Sequence, residues 1–223
     1  MGKYFKYAIG EILLVVIGIL IALQINNWNE EKKIFKEEGK IINALNGEIT
    51  NNIQSLDKTI KRNKELLDSS REFFKKYLTN SNALYSAQEV TDILGYATNK
   101  LDTSILNEIL GTNSRALISD DETLIQLRKL KQAFNIAEKT EFYIDDLFNT
   151  QVIDFIRESG LGVYTNSIDI DENYPSVIKL DQEFFSLLGL FNGYQEGFLL
   201  SEQDLQKVLK ETLAVLNKKI DND

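Results

Sequence analysis

The chain opens with a long apolar stretch, YAIGEILLVVIGILIALQINNWNE, which runs from Tyr7 to Glu30. Within its first 19 residues, up to Ile25, the strongly polar positions are Glu11 and Gln24, and Ile12–Leu23 is uninterrupted. A helix of that length extends about 28 Å at about 1.5 Å per residue, close to the roughly 30 Å hydrocarbon thickness of a bilayer. The pattern therefore predicts a transmembrane helix.

Beyond this stretch the hydrophobic positions recur at intervals of three and four, with Glu and Lys between them. They are Ile34, Phe35, Ile41, Ile42, Leu45, Ile49, Ile53, Leu56, Ile60 and Leu67. This spacing predicts that the same helix continues to about Leu78, first as a stalk and then as a member of a bundle. Gly39 and Gly47 each cost a helix about 1 kcal/mol relative to Ala and mark the positions at which a bend is expected.

Two short helices are predicted from their capping residues. Ser86–Glu89 has the spacing of a capping box, in which the Ser hydroxyl and the Glu carboxylate satisfy free backbone N–H groups, and the helix should reach about Thr98. The second is predicted over Thr103–Leu110, with Asp102 as its N-cap and Gly111 at its end.

A long helix is predicted from a second capping box at Ser119–Glu122 as far as Gly160, and its length leaves open a break near Lys139–Thr140. A last helical region is predicted over Asp181–Ile220, and a restart at Ser201–Asp204 is left open.

Three glycines, Gly189, Gly193 and Gly197, lie at four-residue spacing in that region and predict close packing against a neighbouring helix of the bundle. Strand signals are confined to Val163–Tyr164 and Ile168–Ile170. The predicted fold is therefore all-α, with an N-terminal transmembrane helix continuing into an extracytoplasmic helical bundle.

The N-terminal stretch has two alternative interpretations, a cleaved signal peptide and a buried helix of a soluble protein. Lys3 and Lys6 would suit a signal peptide, but the sequence LQINNWNEE after the apolar run offers no pair of small residues for a peptidase. Tyr4 and Tyr7 at one end and Trp28 at the other occupy positions typical of membrane-interface anchors. These features favour an uncleaved anchor.

The flanking charges predict the orientation. Lys3 and Lys6 precede the span, whereas Glu30 and Glu31 follow it before the next lysines, so the N-terminus should be cytoplasmic. The expected division is a cytoplasmic N-terminus at residues 1–6, a transmembrane helix at 7–28 and an extracytoplasmic, periplasmic domain at 29–223. The expected location is a bacterial inner membrane, crossed once.

Three residues of the predicted span share one helix face. At 100° per residue, Glu11, Gly18 and Ala22 fall within roughly 40° of one another, and Gly18 and Ala22 form a small-xxx-small pair. One interpretation is a self-association face, on which Glu11 bonds across helices or carries a proton. The other is favoured by the shallow position of Glu11, one turn from Tyr7: its side chain extends into the headgroup zone and has no special role.

Composition excludes several functional classes. The chain has no His and no Cys, so it cannot form a Ser-His-Asp set, a thiolate-imidazole zinc site or a disulfide. The net charge is −9, and because the first 29 residues carry +1 the remainder carries −10. An acidic body without a basic stripe argues against nucleic acid as a partner. No motif predicts a catalytic residue, a cofactor or an enzyme.

One acidic segment raises the question of a cation. Asn166–Asn173 contains Asp169, Asp171 and Glu172, and hard cations prefer clustered oxygens. The spacing of a calcium-binding loop is missing, so a solvated acidic loop is favoured over a metal site.

The residues YAIGEI followed by LVVIGILIALQINNWNE resemble the N-terminal signature of a family of uncharacterised single-span membrane proteins of Bacteroidetes-type bacteria, a domain of unknown function. The segment Leu101–Leu130 resembles that family more loosely. The resemblance implies an integral inner-membrane protein with an outward body, and it implies no catalytic residue.

The function predicted from these observations is that of a membrane-anchored, non-enzymatic interaction or scaffolding protein, self-associating as a homo-oligomer through the transmembrane helix or binding a membrane-protein partner. Two alternatives remain open. One is a ligand-sensing ectodomain that acts through a membrane partner. The other is an ion-coupled, stator-like accessory subunit that uses Glu11 as its carrier.

Overall fold

The structure is a computed structural model that describes the backbone of residues 2–80, 83–111, 117–161, 177–178 and 180–222. Side chains are described within these ranges except at 2–9, 87, 177–178 and 221–222. The described elements are almost entirely helical, as the sequence predicted.

The elements follow one another in a simple order. They are α1 (Gly2–Thr79), β1 (Tyr85–Ser86), α2 (Ala87–Ile93), α3 (Ser104–Gly111), α4 (Asp121–Leu147), a π-helical turn (Phe148–Val152), α5 (Ile153–Glu158), β2 (Val177–Ile178) and α6 (Gln182–Asn222). Strands β1 and β2 form a two-residue antiparallel ladder in which Tyr85 pairs with Ile178. This short ladder was not predicted from the sequence.

Helix α1 joins the apolar N-terminal segment to the bundle without a break. The helix continues to Thr79, one residue past the predicted end, and it is not interrupted at Gly39 or Gly47. In the described part of the chain this is the one helix long and apolar enough to cross a membrane, and the apolar window has no buried residue.

Three long helices make the bundle, with α6 packed on α1 along one side and on α4 along the other. Hydrogen bonds from Asn46 to Asn217 and from Ser70 to Asn192 show that α1 and α6 run antiparallel. Those from Gln126 to Thr212 and between Thr140 and Ser201 show the same for α4 and α6. Helices α1 and α4 are therefore parallel to each other.

The core consists of two separate clusters of buried apolar side chains. One contains Ile42, Leu45, Ile49 and Leu56 of α1 with Leu124–Ala137 of α4 and Leu205–Leu216 of α6. The other contains Phe73 of α1 and aromatic side chains of α6, where Tyr77 stacks on Phe185 with ring centroids 3.7 Å apart. Burial of apolar area at about 25 cal/mol per Å² is what holds these amphipathic helices together.

One predicted helix start is confirmed, one lies a residue later than predicted, and the third has a different N-cap. Ser86 and Glu89 form the predicted capping box, and Asp102 Oδ1 accepts a hydrogen bond from Ser104 N at 3.0 Å. Helix α4, however, is capped by Asp120 instead of Ser119. The reason is that Ser119 Oγ donates to the buried carboxylate of Glu38 at 2.8 Å.

The break left open near Lys139–Thr140 does not occur, because α4 is continuous through it and the irregularity lies at Phe148–Val152. There Asn149 Nδ2 donates to Asp145 O at 2.9 Å and Thr150 Oγ1 donates to Asp146 O at 2.7 Å. These side chains compete with the backbone for the carbonyls four residues earlier, and such competition favours a local π turn.

Nor does α6 restart at Ser201, because it is a single helix and Ser201 lies inside it facing α4. Helix α2 ends at Ile93 instead of Thr98, since the chain from Gly95 onward is extended against α1. The glycine row was predicted to pack closely against a neighbouring helix, but at Gly189 an added Cβ would make only an ordinary contact, 3.7 Å from the Phe74 side chain. The prediction is wrong at Gly193 and Gly197, where an added Cβ would meet no described atom within 4 Å.

Candidate functional site

A polar layer separates the two apolar clusters in the middle of the bundle. We use that name for six side chains from all three long helices: Thr59 and Asn63 of α1, Thr140 of α4, and Gln195, Ser201 and Glu202 of α6. Thr140 and Ser201 share a hydrogen bond of 2.5 Å between their hydroxyls. Polar groups placed at such depth are stabilising only when they are hydrogen-bonded.

Glu202 is the ionisable member of the polar layer and is only 2% exposed. Its Oε2 accepts a hydrogen bond from Asn63 Nδ2 at 2.9 Å. Among the described residues no lysine or arginine forms an ion pair with it. Burial raises the pKa of Glu202 to about 7, which the Asn63 hydrogen bond opposes and the nearby Glu141 carboxylate reinforces. This carboxyl group therefore changes its charge near neutral pH.

Asn63 also holds the extended segment Gly95–Thr103, which we call the strap. Its Nδ2 donates to Ala97 O at 2.9 Å and its Oδ1 accepts from Ala97 N at 2.7 Å. Asn52 makes the same two-point contact with the backbone of Asp102, at 2.6 and 2.9 Å. A side-chain amide thus pairs with a strap peptide group as a neighbouring strand would.

The spacing of these two contacts has a simple geometric basis. Asn52 and Asn63 are eleven residues apart on a helix, about 16.5 Å at 1.5 Å per residue. Ala97 and Asp102 are five residues apart on an extended chain, which is also about 16.5 Å at 3.3 Å per residue. The strap is therefore in register with α1 and runs antiparallel to it, and Asn99 Nδ2 bonds to Thr59 Oγ1 between the two at 2.6 Å.

An open cleft of about 390 Å³ lies between the strap and α4. Its apolar lining includes Leu101, Phe134, Ala137 and Leu205. Its charged lining comprises two positive side chains, Lys100 and Lys131, and two negative ones, Glu138 and Glu141. Such a cleft, apolar with a few charged groups, is of the size that small ligands occupy.

The acidic end of the cleft is the part nearest to the polar layer. Burial raises the pKa of Glu141, and the carboxylates of Asp145 and Glu138 raise it further. Nearby, the Tyr96 hydroxyl donates to Asp145 Oδ1 at 2.6 Å, and burial together with that carboxylate raises the pKa of Tyr96. A bound cationic group, or protonation of these carboxylates, would partly neutralise the negative charge of this region.

Two other buried carboxylates have structural roles. Glu48 accepts hydrogen bonds from Ile105 N at 2.7 Å and Leu106 N at 3.2 Å, and so caps α3 from a different helix. Glu38 accepts from Ser119 N and forms an ion pair with Lys219. Burial would raise the pKa of Glu38, but the hydrogen bonds from Lys219 and Ser119 outweigh it and hold that pKa below its usual value.

The residues predicted for the transmembrane face lie far from the polar layer. Glu11, Gly18 and Ala22 are all exposed on α1, and an added Cβ at Gly18 would meet no described atom within 4 Å. Trp28 is exposed, with Lys32 Nζ 4.9 Å from its ring centroid. The side chains of Tyr4 and Tyr7 lie outside the described residues.

The acidic segment predicted as a possible cation site, with Asp169, Asp171 and Glu172, also lies outside the described residues. Within the described part of the chain, no group of three or more Asp and Glu side chains is arranged to hold a metal ion.

The polar layer was not predicted from the sequence, because Asn63 and Glu202 lie in long helices where polar residues usually face solvent. One signal was present in the pattern. Asn52, Thr59 and Asn63 are spaced by seven and four, which places them on one stripe together with the apolar positions Leu45, Ile49 and Leu56. A polar residue on the apolar stripe of a helix requires a buried partner.

Comparison with known families identifies this chain. A model described as a family of unknown function (DUF6090) matches residues 11–190, which include most of α1, the strap, α4 and the start of α6. Comparison with curated proteins gives no match, and neither does comparison with solved structures. Because the family model covers well over half of its length, the chain belongs to this family of unknown function.

Proposed function

We propose that this protein is a membrane-anchored, non-enzymatic interaction or scaffolding protein that self-associates through the face of α1 carrying Glu11, Gly18 and Ala22. The observation that carries the proposal is the continuity of α1 from Gly2 to Thr79. One rigid helix contributes both the apolar segment and a third of the bundle, so an association in the bilayer would fix the relative position of whole bundles.

The topology we propose is an N-terminus in the cytoplasm and a bundle in the periplasm of a bacterial inner membrane. The resemblance of Tyr7–Glu30 to single-span proteins of Bacteroidetes-type bacteria supports this placement, as do Lys3 and Lys6 before the span. An export signal would share the length and composition of this segment. The missing pair of small residues after the span favours an anchor.

Self-association is supported by what the apolar segment does not contact. Its residues pack against no other part of the described chain, and Gly18 leaves open space beside the helix. In lipid, small residues at four-residue spacing let two helix backbones approach closely. A second copy on this face would use that space.

Single-cysteine crosslinking in membranes tests this proposal cleanly, since the chain has no cysteine of its own. Full-length variants Gly18→Cys and Ala22→Cys are expected to give disulfide-linked dimers. Leu13→Cys and Leu20→Cys, on the opposite side of the helix, are the controls and should remain monomeric. Equal crosslinking at all four positions, or none at Gly18 and Ala22, would contradict self-association through this face.

A second candidate function, ligand sensing, is favoured by the cleft between the strap and α4. Its acidic end adjoins Glu202, which contacts the strap through Asn63, so occupancy of the cleft would be sensed by all three long helices. The test is the melting temperature of the full chain in detergent across a library of small cationic and zwitterionic compounds. A rise that Glu141→Gln removes supports sensing, and no rise with any compound argues against it.

A further inference from the structure

The cleft between the strap and α4 is lined by charges of both signs. The positive groups are Lys100 of the strap and Lys131 of α4, and the negative groups are Glu138 and Glu141 of α4. None of these side chains forms an ion pair with a described residue. A ligand that carries one positive and one negative group can therefore pair with both sets.

The charges on α4 lie at different heights along the cleft. Lys131 precedes Glu138 by seven residues and Glu141 by ten. At about 1.5 Å per residue these separations are about 10.5 Å and about 15 Å. The two glutamates therefore mark one end of the cleft, and Lys131 marks the other.

Lys100 lies on the lysine side of the strap. The strap begins beside the acidic end, where the Tyr96 hydroxyl donates to Asp145 Oδ1 at 2.6 Å. It runs antiparallel to α1, and α1 is parallel to α4, so later strap residues lie closer to Lys131. Thr98 comes before Lys100 on this path, and both residues line the cleft.

Between its two ends the cleft offers apolar contacts and backbone hydrogen-bonding groups. The apolar side chains are Leu101, Phe134, Ala137 and Leu205. The backbone of Ala97 is bound to Asn63, whereas that of Thr98 forms no hydrogen bond with a described residue. In an extended chain, neighbouring residues direct their N–H and C=O groups to opposite sides, so those of Thr98 point away from α1. Extended peptides bind to such strand edges by main-chain hydrogen bonds.

We propose that this cleft binds a short peptide of about three residues, with apolar side chains and with both of its termini free. The amino group of the peptide lies at Glu138 and Glu141, and its carboxylate lies at Lys131 and Lys100. An extended tripeptide is about 10 Å long at about 3.3 Å per residue, which matches the separation of Lys131 from Glu138. A single amino acid is too short to reach both ends.

The surroundings of Glu141 favour an ammonium group at the acidic end. Burial raises the pKa of Glu141, and the carboxylates of Asp145 and Glu138 raise it further. A bound ammonium group opposes these effects, because it stabilises the ionised carboxylate. This inference rests on ligand sensing, the second function proposed above, and names the class of ligand.

The test is calorimetric titration of the full chain in detergent with the tripeptide Ala-Leu-Ala and with its N-acetylated and C-amidated forms. The unmodified peptide is expected to bind. Either modification should weaken binding about tenfold or more, because each removes one charge-assisted contact. No binding of Ala-Leu-Ala at millimolar concentration would overturn the inference. Equal affinity for all three peptides would also overturn it, since the charged ends would then have no role.

Two substitutions assign the ends of the ligand. Lys131→Gln should weaken binding of the unmodified peptide about tenfold but should not change the affinity for the C-amidated peptide. Glu141→Gln should have the same selective effect with respect to the N-acetylated peptide. Lys139→Gln is the matched control, because Lys139 follows Glu138 on α4 but does not line the cleft, and its Nζ lies 5.7 Å from the Tyr143 ring centroid. If Lys131→Gln weakens binding of the unmodified and amidated peptides equally, the proposed orientation is wrong.

The experiments separate failure of this inference from failure of ligand sensing. A library compound of another class might raise the melting temperature in a way that Glu141→Gln removes, while Ala-Leu-Ala does not bind. Sensing would then stand and the peptide would be the wrong ligand. If neither the library nor the peptide gives a signal, both proposals are overturned.

Discussion

Asn63 Nδ2 lies 2.9 Å from Glu202 Oε2 and 2.9 Å from Ala97 O, so one amide on α1 holds both a buried carboxylate on α6 and the strap. Removing this amide leaves buried groups without partners, and each unsatisfied group costs about 1–3 kcal/mol. The stability of the bundle therefore depends on Asn63, which joins α1 to α6 and to the strap, although these segments are distant along the chain.

Asn63→Ala should therefore lower the free energy of unfolding by about 2–4 kcal/mol. Denaturant unfolding of the full chain in detergent measures this. Asn43→Ala is the control, because that side chain is exposed and, among the described residues, donates to Gly39 O of its own helix. Similar losses for the two variants would show that the buried amide has no special role.

Glu202 should make the stability of the bundle depend on pH. Its folded-state pKa of about 7 is above the usual value of 4.5, so the stability it contributes is present in full below about pH 4.5 and is lost as the pH rises through 7. At about 1.4 kcal/mol per pKa unit the loss is about 3 kcal/mol.

Glu202→Gln should remove this loss, because its neutral side chain does not titrate. The difference in unfolding free energy between Glu202→Gln and wild type is therefore expected to grow in favour of the variant from pH 5 to pH 8. Denaturation curves across that range measure it, and a difference that does not change with pH would contradict the assignment.

Lys219→Met should destabilise the bundle by about 2–4 kcal/mol at pH 7, since it leaves the buried Glu38 carboxylate without its cation. Because the pKa of Glu38 is depressed, the contribution of the pair is present above pH 4.5 and is lost as the pH falls below it. Lys40→Met is the matched control, because its pair with Glu37 is exposed on the surface and should contribute little to stability. Thermal melts at pH 7 and pH 3.5 distinguish the two cases.

Substitution of alanine for glycine should change the free energy of unfolding in opposite directions at two positions of the chain. Gly193→Ala adds a methyl group in open space on a helix and should raise the unfolding free energy of the dilute monomer by up to about 1 kcal/mol. Gly160 has a φ of +76°, so Gly160→Ala should lower it by about 1–2 kcal/mol. If both substitutions have the same sign in chemical denaturation, backbone conformation is not the deciding factor.

Local patterns predicted most of the helical elements, because helix formation depends on residues three and four apart. The continuous α1, the Ser86–Glu89 capping box and the helix after Asp102 all follow from such neighbours. The errors arose where a distant residue intervened. Glu38 accepts a hydrogen bond from Ser119, so Asp120 caps α4 instead. Asn63 and Asn52 bind the strap and keep it extended, although part of it was predicted as helix.

Local sequence patterns could not predict the candidate site for the same reason. Glu202 and Asn63 are 139 residues apart in sequence, and nothing near either residue indicates that they meet. The raised pKa of Glu202 depends on burial, which belongs to the assembled bundle and not to any segment.

By itself, the sequence determined the apolar N-terminal helix, its amphipathic continuation and the absence of His and Cys chemistry, since these depend on residue type and on spacing along one helix. The tertiary structure alone decided which polar residues are buried, where the cleft lies, and that Gly193 and Gly197 remain open. Desolvation and packing act between segments far apart in the chain, and only the folded arrangement of α1, α4 and α6 brings them together.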